Sequence, residues 1–397
     1  MDWDTFTFTY RLDMTGLFQD LVSIEAYKLS AQNLVLPPDW REQLDQLNRV
    51  RAVHGTTAFE GNQLTEAEVS RQIAIIEQSS DAGQPSATRD QQQVRNAGLA
   101  QQWVQKRFTP GSSPLSAGDV LSMHAMMTTS SDEVHNVPGK FRDFPVVVGS
   151  PDLGGVHRGA PHERIHRLID EYIAFMNSRE TNGLHPVIRG LLAHYFLVNI
   201  QPFGDGNGRV SRLVEAGILF QGGYNIFGFY GLSNYFYKHE AEYKTTLQTC
   251  RRTRPFDVTE FITFGVRGFL EELEGINSFV KTRLNRVIYR AMLGRAFNTR
   301  LGERRRVLNQ REYNLLDYLI AETEPVDPFS EHPSRMVGLS ELLASPYIRE
   351  AYKGVTRRTF QRELMRLADM NFIRIVTISD DSREPLVELD FDAIGKY

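Results

Sequence analysis

Residues 201 to 212 read QPFGDGNGRVSR, and this stretch decides how the surrounding chain is read. An apolar helical run ends at Ile200. Pro202, Gly204, Gly206 and Gly208 then bend the chain within seven residues, and a new helix begins near Asn207. Glycines in such a loop leave backbone N–H groups unobstructed and permit unusual dihedrals. Just ahead of a helix start, those N–H groups and the helix dipole favour phosphate oxygens. Arg209 and Arg212 are three residues apart, hence on one helix face, where two guanidinium forks suit outer phosphates. Asp205 lies beside this cradle, placed to hold a Mg²⁺ that bridges phosphates. Phe203 is read as an inward anchor. The loop therefore predicts a nucleoside triphosphate site.

Outward from the loop the pattern is helical from near the start to about residue 300. Helical spacing covers Leu17 to Leu29, Pro38 to His54, a capped start at Thr65, Gln91 to Phe108 and Ser116 to Met127. It resumes at Pro161 to Met176, Pro186 to Ile200, Asn207 to Phe220, Tyr235 to Cys250 and Val258 to about Arg300. Residues 135 to 160 differ. They are dense in Gly and Pro around Val146, Val147 and Val148, which predicts a hairpin-like flap. Residues 78 to 87 read as a loop by composition. Beyond the basic, polar stretch 300 to 310, the order changes to helix, loop, helix, turn, helix and a small hairpin at Phe372 to Leu389. That is the outline of a winged helix. The expected domains are 1–110, a helical N-terminal region; 111–300, the core with the loop; and 301–397, the winged helix.

Composition sets outer limits. The chain has 397 residues, 41% hydrophobic and 24% charged, with a net charge of −4. That is ordinary globular composition, and nucleic-acid binding would need a local basic patch. The single cysteine, Cys250, excludes an internal disulfide framework or a cysteine metal cluster. The acidic N-terminus does not resemble a signal peptide. No segment approaches the roughly 20 apolar residues of a membrane span. A cytoplasmic protein with no membrane partner is expected.

The loop resembles the signature of the Fic family, H-P-F-x-[D/E]-G-N-G-R-x-x-R, with eight of its nine specified positions matched. The preceding HPVIRGLLAHYFLVNI and the following LSNYFYKHEAEYKTTL and DVTEFITFGVRGF are also similar to family helices. The resemblance implies a mainly α fold: a Fic-type helical bundle with a small β-hairpin flap, here followed by the winged helix. It implies transfer of AMP from ATP, with Mg²⁺, to a Ser, Thr or Tyr hydroxyl of a protein, the chain itself included. Gly206, Asn207, Gly208, Arg209 and Arg212 take the nucleotide-binding positions, and Asp205 the metal position. Tyr235 and Tyr243, eight apart on an expected single helix, either take the place of the family's aromatics near adenine or pack in the core. Val146, Val147 and Val148 take the place of the flap strand that docks a target backbone.

One position departs. The family's catalytic histidine, which takes the proton from the attacking hydroxyl, is Gln201 here. General-base help is typically worth about 10²- to 10⁴-fold, and a carboxamide is no useful base near neutral pH. The glutamine stands either as a natural loss or as an introduced block. His194, two turns upstream, reads as a satisfied helix histidine, and His157 in the flap as a weaker substitute. Upstream, Thr56 to Gly61 resembles the family's inhibitory motif [S/T]-x-x-x-E-[G/N]. Glu60 beside Arg212 would neutralise the fork meant for the outer phosphate. Three functions stay open: a Glu60-inhibited adenylyltransferase impaired at Gln201, a catalytically silent nucleotide-binding regulator, and an AMP-removing hydrolase using Glu60. In the tail, Arg357, Arg358, Arg362 and Arg366 lie on the third helix, diluted by Glu363 and Asp369. That leaves DNA, a protein partner and a homodimer contact as alternatives for that domain.

Overall fold

The computed structural model describes residues 2–78, 88–130, 135–153, 155–225, 228, 231–253, 255–300, 306–324, 336–376 and 385–396. Of the expected loop at 78–87, Gln78 is the last residue of a helix and 79–87 lie outside the described residues, as does the hairpin turn at 380–382. Two compact units divide at Glu272 and Leu273.

The first unit is a helical bundle. Its elements are β1 (Tyr10–Arg11), α1 (Phe18–Asn33), α2 (Pro38–Ala58), α3 (Glu66–Gln78), α4 (Arg89–Arg107), α5 (Ala117–Thr128), β2 (Val147–Ser150), β3 (Gly155–Arg158), α6 (Ile165–Met176), α7 (Arg179–Asn182), α8 (Pro186–Ile200), α9 (Asn207–Gln221), α10 (Ser233–Lys238), α11 (Glu240–Cys250), β4 (Phe256–Asp257) and the start of α12 (Thr259–Asn298). Caps set many boundaries. Ser116 and Asp119 form a reciprocal capping box on α5, and Pro sits in the first turn of α2 and α8, where its missing N–H costs nothing. Helix α8 is buried on nearly every side, only Pro186 and Arg189 being half-buried, as its mainly apolar sequence requires, and α9 packs along it. Phe6, Phe8 and Tyr10 alternate along an extended N-terminal segment and meet Phe196 and Phe175. Strand β1 pairs in parallel with β4.

The expected flap is present. Strands β2 and β3 form an antiparallel hairpin, with Val147 opposite Arg158 and Val148 opposite His157. Among the described residues β2 has a strand partner on one edge only. The expected helix Tyr235 to Cys250 is two helices. His239 leaves helical geometry, with φ −114° and ψ 39°, and the chain turns between α10 and α11.

The second unit comprises the rest of α12, α13 (Gln310–Glu322), β5 (Val337–Gly338), α14 (Leu339–Ala344), α15 (Pro346–Ala351), α16 (Arg357–Asp369), β6 (Ile373–Val376) and β7 (Leu386–Leu389). The strands form an antiparallel sheet in the order β5–β7–β6. The unit border falls inside α12 instead of at residue 300. The reason is packing: Tyr289, Met292, Leu293 and Ala296 belong to the same buried cluster as Leu315, Leu319, Leu364 and Phe372. No helix of the described residues is long and apolar enough to cross a membrane.

Candidate nucleotide site

The loop after α8 is held from both sides. Gln201 caps α8 in the left-handed region, φ 52° and ψ 60°, a conformation costing an L-residue roughly 1–2 kcal/mol. Arg142 holds it there. Its Nε donates to Gln201 O at 2.7 Å, its Nη2 to Ala160 O at 2.6 Å and its Nη1 to Phe144 O, while its backbone N–H donates to Pro202 O at 3.0 Å. Burial pushes the Arg142 pKa down to about 10, yet the group keeps its charge at neutral pH, solvated by carbonyls. Asn207 closes the loop on itself: Phe203 N–H donates to its Oδ1, and its Nδ2 donates to Phe203 O, both at 2.9 Å.

Phe203 is fully buried and stacks on His124 at 3.7 Å between ring centroids. His124 Nδ1 accepts from Gly139 N–H at 3.0 Å. Its proton is therefore on Nε2, which donates to Asp205 O and Asn136 Oδ1, both at 3.1 Å. Two glycines are required here. A Cβ on Gly204 would stand 2.8 Å from His135 O, and Gly206 caps α9 at φ +78°.

His124 supplies a test of this local packing. Burial pushes its pKa down from 6.5 to about 4, and that of His157, whose ring donates to Asn199 O, to about 3. The folded state resists protons that the unfolded chain accepts below about pH 6.5. The stabilisation is complete above that pH and drains away as pH falls toward 4, by about 3 kcal/mol for His124 alone at 1.36 kcal/mol per pKa unit. Urea denaturation between pH 7.5 and 4.5 should show this slope, flattened by His124→Gln. An unchanged slope in that variant rules the assignment out.

A cavity of about 450 Å³ opens above the loop. Gln201, Gly204, Asp205, Gly206, Asn207, Gly208 and Arg212 form its floor, Val146, Val147 and Val148 one wall, and Phe59, Glu60 and Tyr243 another. Two expected site residues lie elsewhere. Arg209 turns away to pair with Asp205, four residues before it, so of the loop's two arginines Arg212 alone lines the cavity. Tyr235 is buried against Gly268 and Phe264, with its hydroxyl receiving Arg267 Nε. The break at His239 undoes the same-face spacing that paired it with Tyr243.

Arg212 is the centre of charge. Its Nε donates to Thr56 Oγ1 at 2.9 Å, and its Nη2 donates to Glu60 Oε1 at 2.7 Å and to Thr56 O at 3.2 Å. Its Nη1 is buried with no partner among the described residues. Glu60 follows the end of α2, and Gly61 at φ +88° turns the chain away. The carboxylate hangs over α9's first turn, 2.9 Å from where a Cβ on Gly208 would stand. Helix end and charge partner are thus the same feature. His194 is fully buried between Glu215 Oε2 at 2.6 Å and Tyr243 OH at 2.8 Å. It is the satisfied helix histidine expected, and its contact with the cavity runs through Tyr243.

Several lining residues carried no sequence signal on their own. Lys244, Leu247 and Gln248 on α11, with Arg251 just past its end, join the expected Tyr243 on one face toward the cavity, at i+1, i+4, i+5 and i+8 from it. Gln248 Nε2 also donates to Gly155 O and so ties α11 to the flap. That spacing was readable, but only with the helix start placed at Glu240. Among the described residues no three His, Cys, Asp or Glu converge as a metal cage. Asp205 Oδ2 is taken by Arg209. Its other oxygen suits a Mg²⁺ held mainly by phosphates and waters, the usual mode for that ion.

Residues 114–219, which carry this loop and flap, match the Fic/DOC family. A protein adenylyltransferase Fic of Drosophila mojavensis is 39% identical over 106 residues, 27% of this chain and 20% of that protein. One of Aedes aegypti is 27% identical over 175 residues, 44% of this chain and 33% of that protein. The matches thus span a third or less of these relatives' length. Among solved structures, a Fic family protein from Desulfovibrio desulfuricans G20 superposes with a TM-score of 0.52 at 19% identity, covering 94% of this chain and 96% of that one. Fic-1 (residues 134–508) of C. elegans gives 0.53 at 21% identity, covering 67% and 73%. These likenesses establish the fold.

Proposed function

We propose that this chain binds ATP in the cavity and is built for Fic-type transfer of AMP to a protein hydroxyl, restrained by Glu60 and slowed by Gln201. The observation that carries the reading is Arg212, a buried guanidinium at the cavity with one donor unused and another held by the Glu60 carboxylate. In the transfer, the hydroxyl oxygen bonds to the α-phosphorus, the bridge to the departing pyrophosphate breaks, and the hydroxyl proton must go to an acceptor. Asp205 would hold Mg²⁺, which neutralises phosphate charge. The free N–H groups at the start of α9 meet phosphate oxygens. The open edge of the flap at Val146 to Val148 offers backbone groups to an extended target segment, whether of another protein or of this chain.

Gln201 limits the reaction. Its Nε2 donates to Val198 O at 2.7 Å, which leaves Oε1, an acceptor that can orient a hydroxyl without taking its proton. A catalytically silent nucleotide-binding regulator is the second reading, and this carboxamide favours it.

The binding half of the proposal is separable from the chemistry. Glu60→Gly frees a charge-assisted contact worth about 1.5–3 kcal/mol, so ATP should bind about 10- to 100-fold tighter by calorimetry. Arg212→Ala should remove that gain. If neither substitution moves ATP affinity, the phosphate assignment of Arg212 fails.

A further inference from the structure

We propose that the second unit binds duplex DNA, with α16 as the helix that enters the major groove. The case starts from which way the charges of α16 point. Read along the sequence, the helix mixes Arg357, Arg358, Arg362 and Arg366 with Glu363 and Asp369. In the structure this mixture is sorted. Glu363 is buried, bound by Arg311 and by Asn309 Nδ2 at 3.1 Å. Arg366 also turns inward, bridging the fully buried Glu312 and Val307 O. What remains outward is Arg357, Arg358, Gln361, Arg362 and Met365. None of these three arginines has an ion-pair partner among the described residues. Asp369 sits at the far end of the helix, about 18 Å from its start by helical rise.

The backbone around α16 fits the same use. Helix α15, a turn at Tyr352 to Thr356 with Gly354 at φ +73°, and α16 follow one another as a helix–turn–helix. Tyr352 packs on the edge of Phe360 at 4.8 Å and fixes the two helices together. Thr356 caps α16 by accepting from Thr359 N–H. The exposed cations therefore cluster at the N-terminal end of the second helix, the end that meets base edges in this motif. Arg358, Gln361, Arg362 and Met365 share one face by the three- and four-residue spacing.

The chemistry of that face selects the partner. Free guanidinium groups answer phosphates and the O6 and N7 atoms of guanine, and a carboxamide answers adenine. An apolar tip such as Met365, 55% exposed, suits a thymine methyl. The proposal is independent of the nucleotide site.

The test uses the full chain and a fluorescein-labelled random duplex of about 30 base pairs, followed by anisotropy at about 50 to 200 mM salt. Binding should weaken steeply with salt. Replacing Arg357, Arg358 and Arg362 together by alanine should weaken it on the order of 100-fold at the lowest salt and make the salt slope shallower by about 2 to 3. The three side chains are exposed and unpaired, so the variant should melt as the parent does, and the Arg358→Ala single variant gives a smaller loss in the same direction. No binding at the lowest salt, equal binding by the triple variant, or tighter binding of single-stranded RNA than of duplex would each overturn the proposal.

Discussion

Gln201→His, combined with Glu60→Gly, should raise AMP transfer from labelled ATP by about 10²- to 10⁴-fold over Glu60→Gly alone. The site is otherwise prepared for a base at this position. The Gln201 backbone is held left-handed at the end of α8, the residue is 5% exposed, and it lines the cavity beside Asp205 and Asn207. Val198 O, now occupied by the carboxamide, is an acceptor within reach of an imidazole Nδ1–H. That bond would leave the Nε2 lone pair for the incoming hydroxyl. Space is tight, because a Cβ on Gly159 would stand 2.8 Å from Gln201 Cβ, but the imidazole adds no length beyond the carboxamide.

Glu60→Gly is needed in the same protein because a base cannot act on a nucleotide held off Arg212. The informative controls are each single variant and Gln201→Ala, all with ATP affinity measured alongside labelling. Equal ATP binding with no gain in labelling by the double variant, on itself or on added protein hydroxyls, defeats the transferase reading and leaves the silent regulator. Loss of ATP binding in every variant defeats both.

The legible part of this protein is the part whose logic is local. Gly206, Asn207 and the start of α9 could be read as an anion cradle because the residues that bend the chain and those that receive charge lie within one turn. The contact of Glu60 with Arg212 spans 152 positions, so no pattern of spacing reveals it, and only the resemblance of Thr56 to Gly61 to a known motif brought it forward. Arg142, four residues before Val146, carries no mark of a clamp in the sequence, since its acceptors are backbone carbonyls with no side-chain signature. Tyr235 was misplaced by a helix break at His239 that neither Gly nor Pro announces. Composition changes at 300 and suggests a border there, while the helix whose packing decides it continues unbroken from Thr259 to Asn298. The sorting of charges on α16 depends on Glu312 and Arg311 from another helix, so the sequence showed only a mixture.

The second large effect concerns that clamp. Arg142→Met should destabilise the protein by about 4 kcal/mol, because hydrogen bonds from a charged donor contribute about 1.5–3 kcal/mol each and buried carbonyls left without donors add their desolvation cost. Methionine keeps most of the volume, so the loss reports the bonds and not a cavity. Three carbonyls, on Gln201, Phe144 and Ala160, lose their donor together, and these belong to the loop after α8, the approach to the flap and the exit from β3. The left-handed backbone at Gln201 then loses its brace. Arg142→Lys should recover less than half of the loss, since one ammonium cannot serve three divergent acceptors. Urea denaturation gives the stability. Hydrogen exchange locates it: the amides of Gly159 and Ala160, which bond to Val146 O and Ile200 O, should exchange faster in Arg142→Met, ahead of amides in the middle of α8. A variant within about 1 kcal/mol of the parent, or exchange that rises uniformly through the bundle, shows that the flap holds its place on α8 without Arg142.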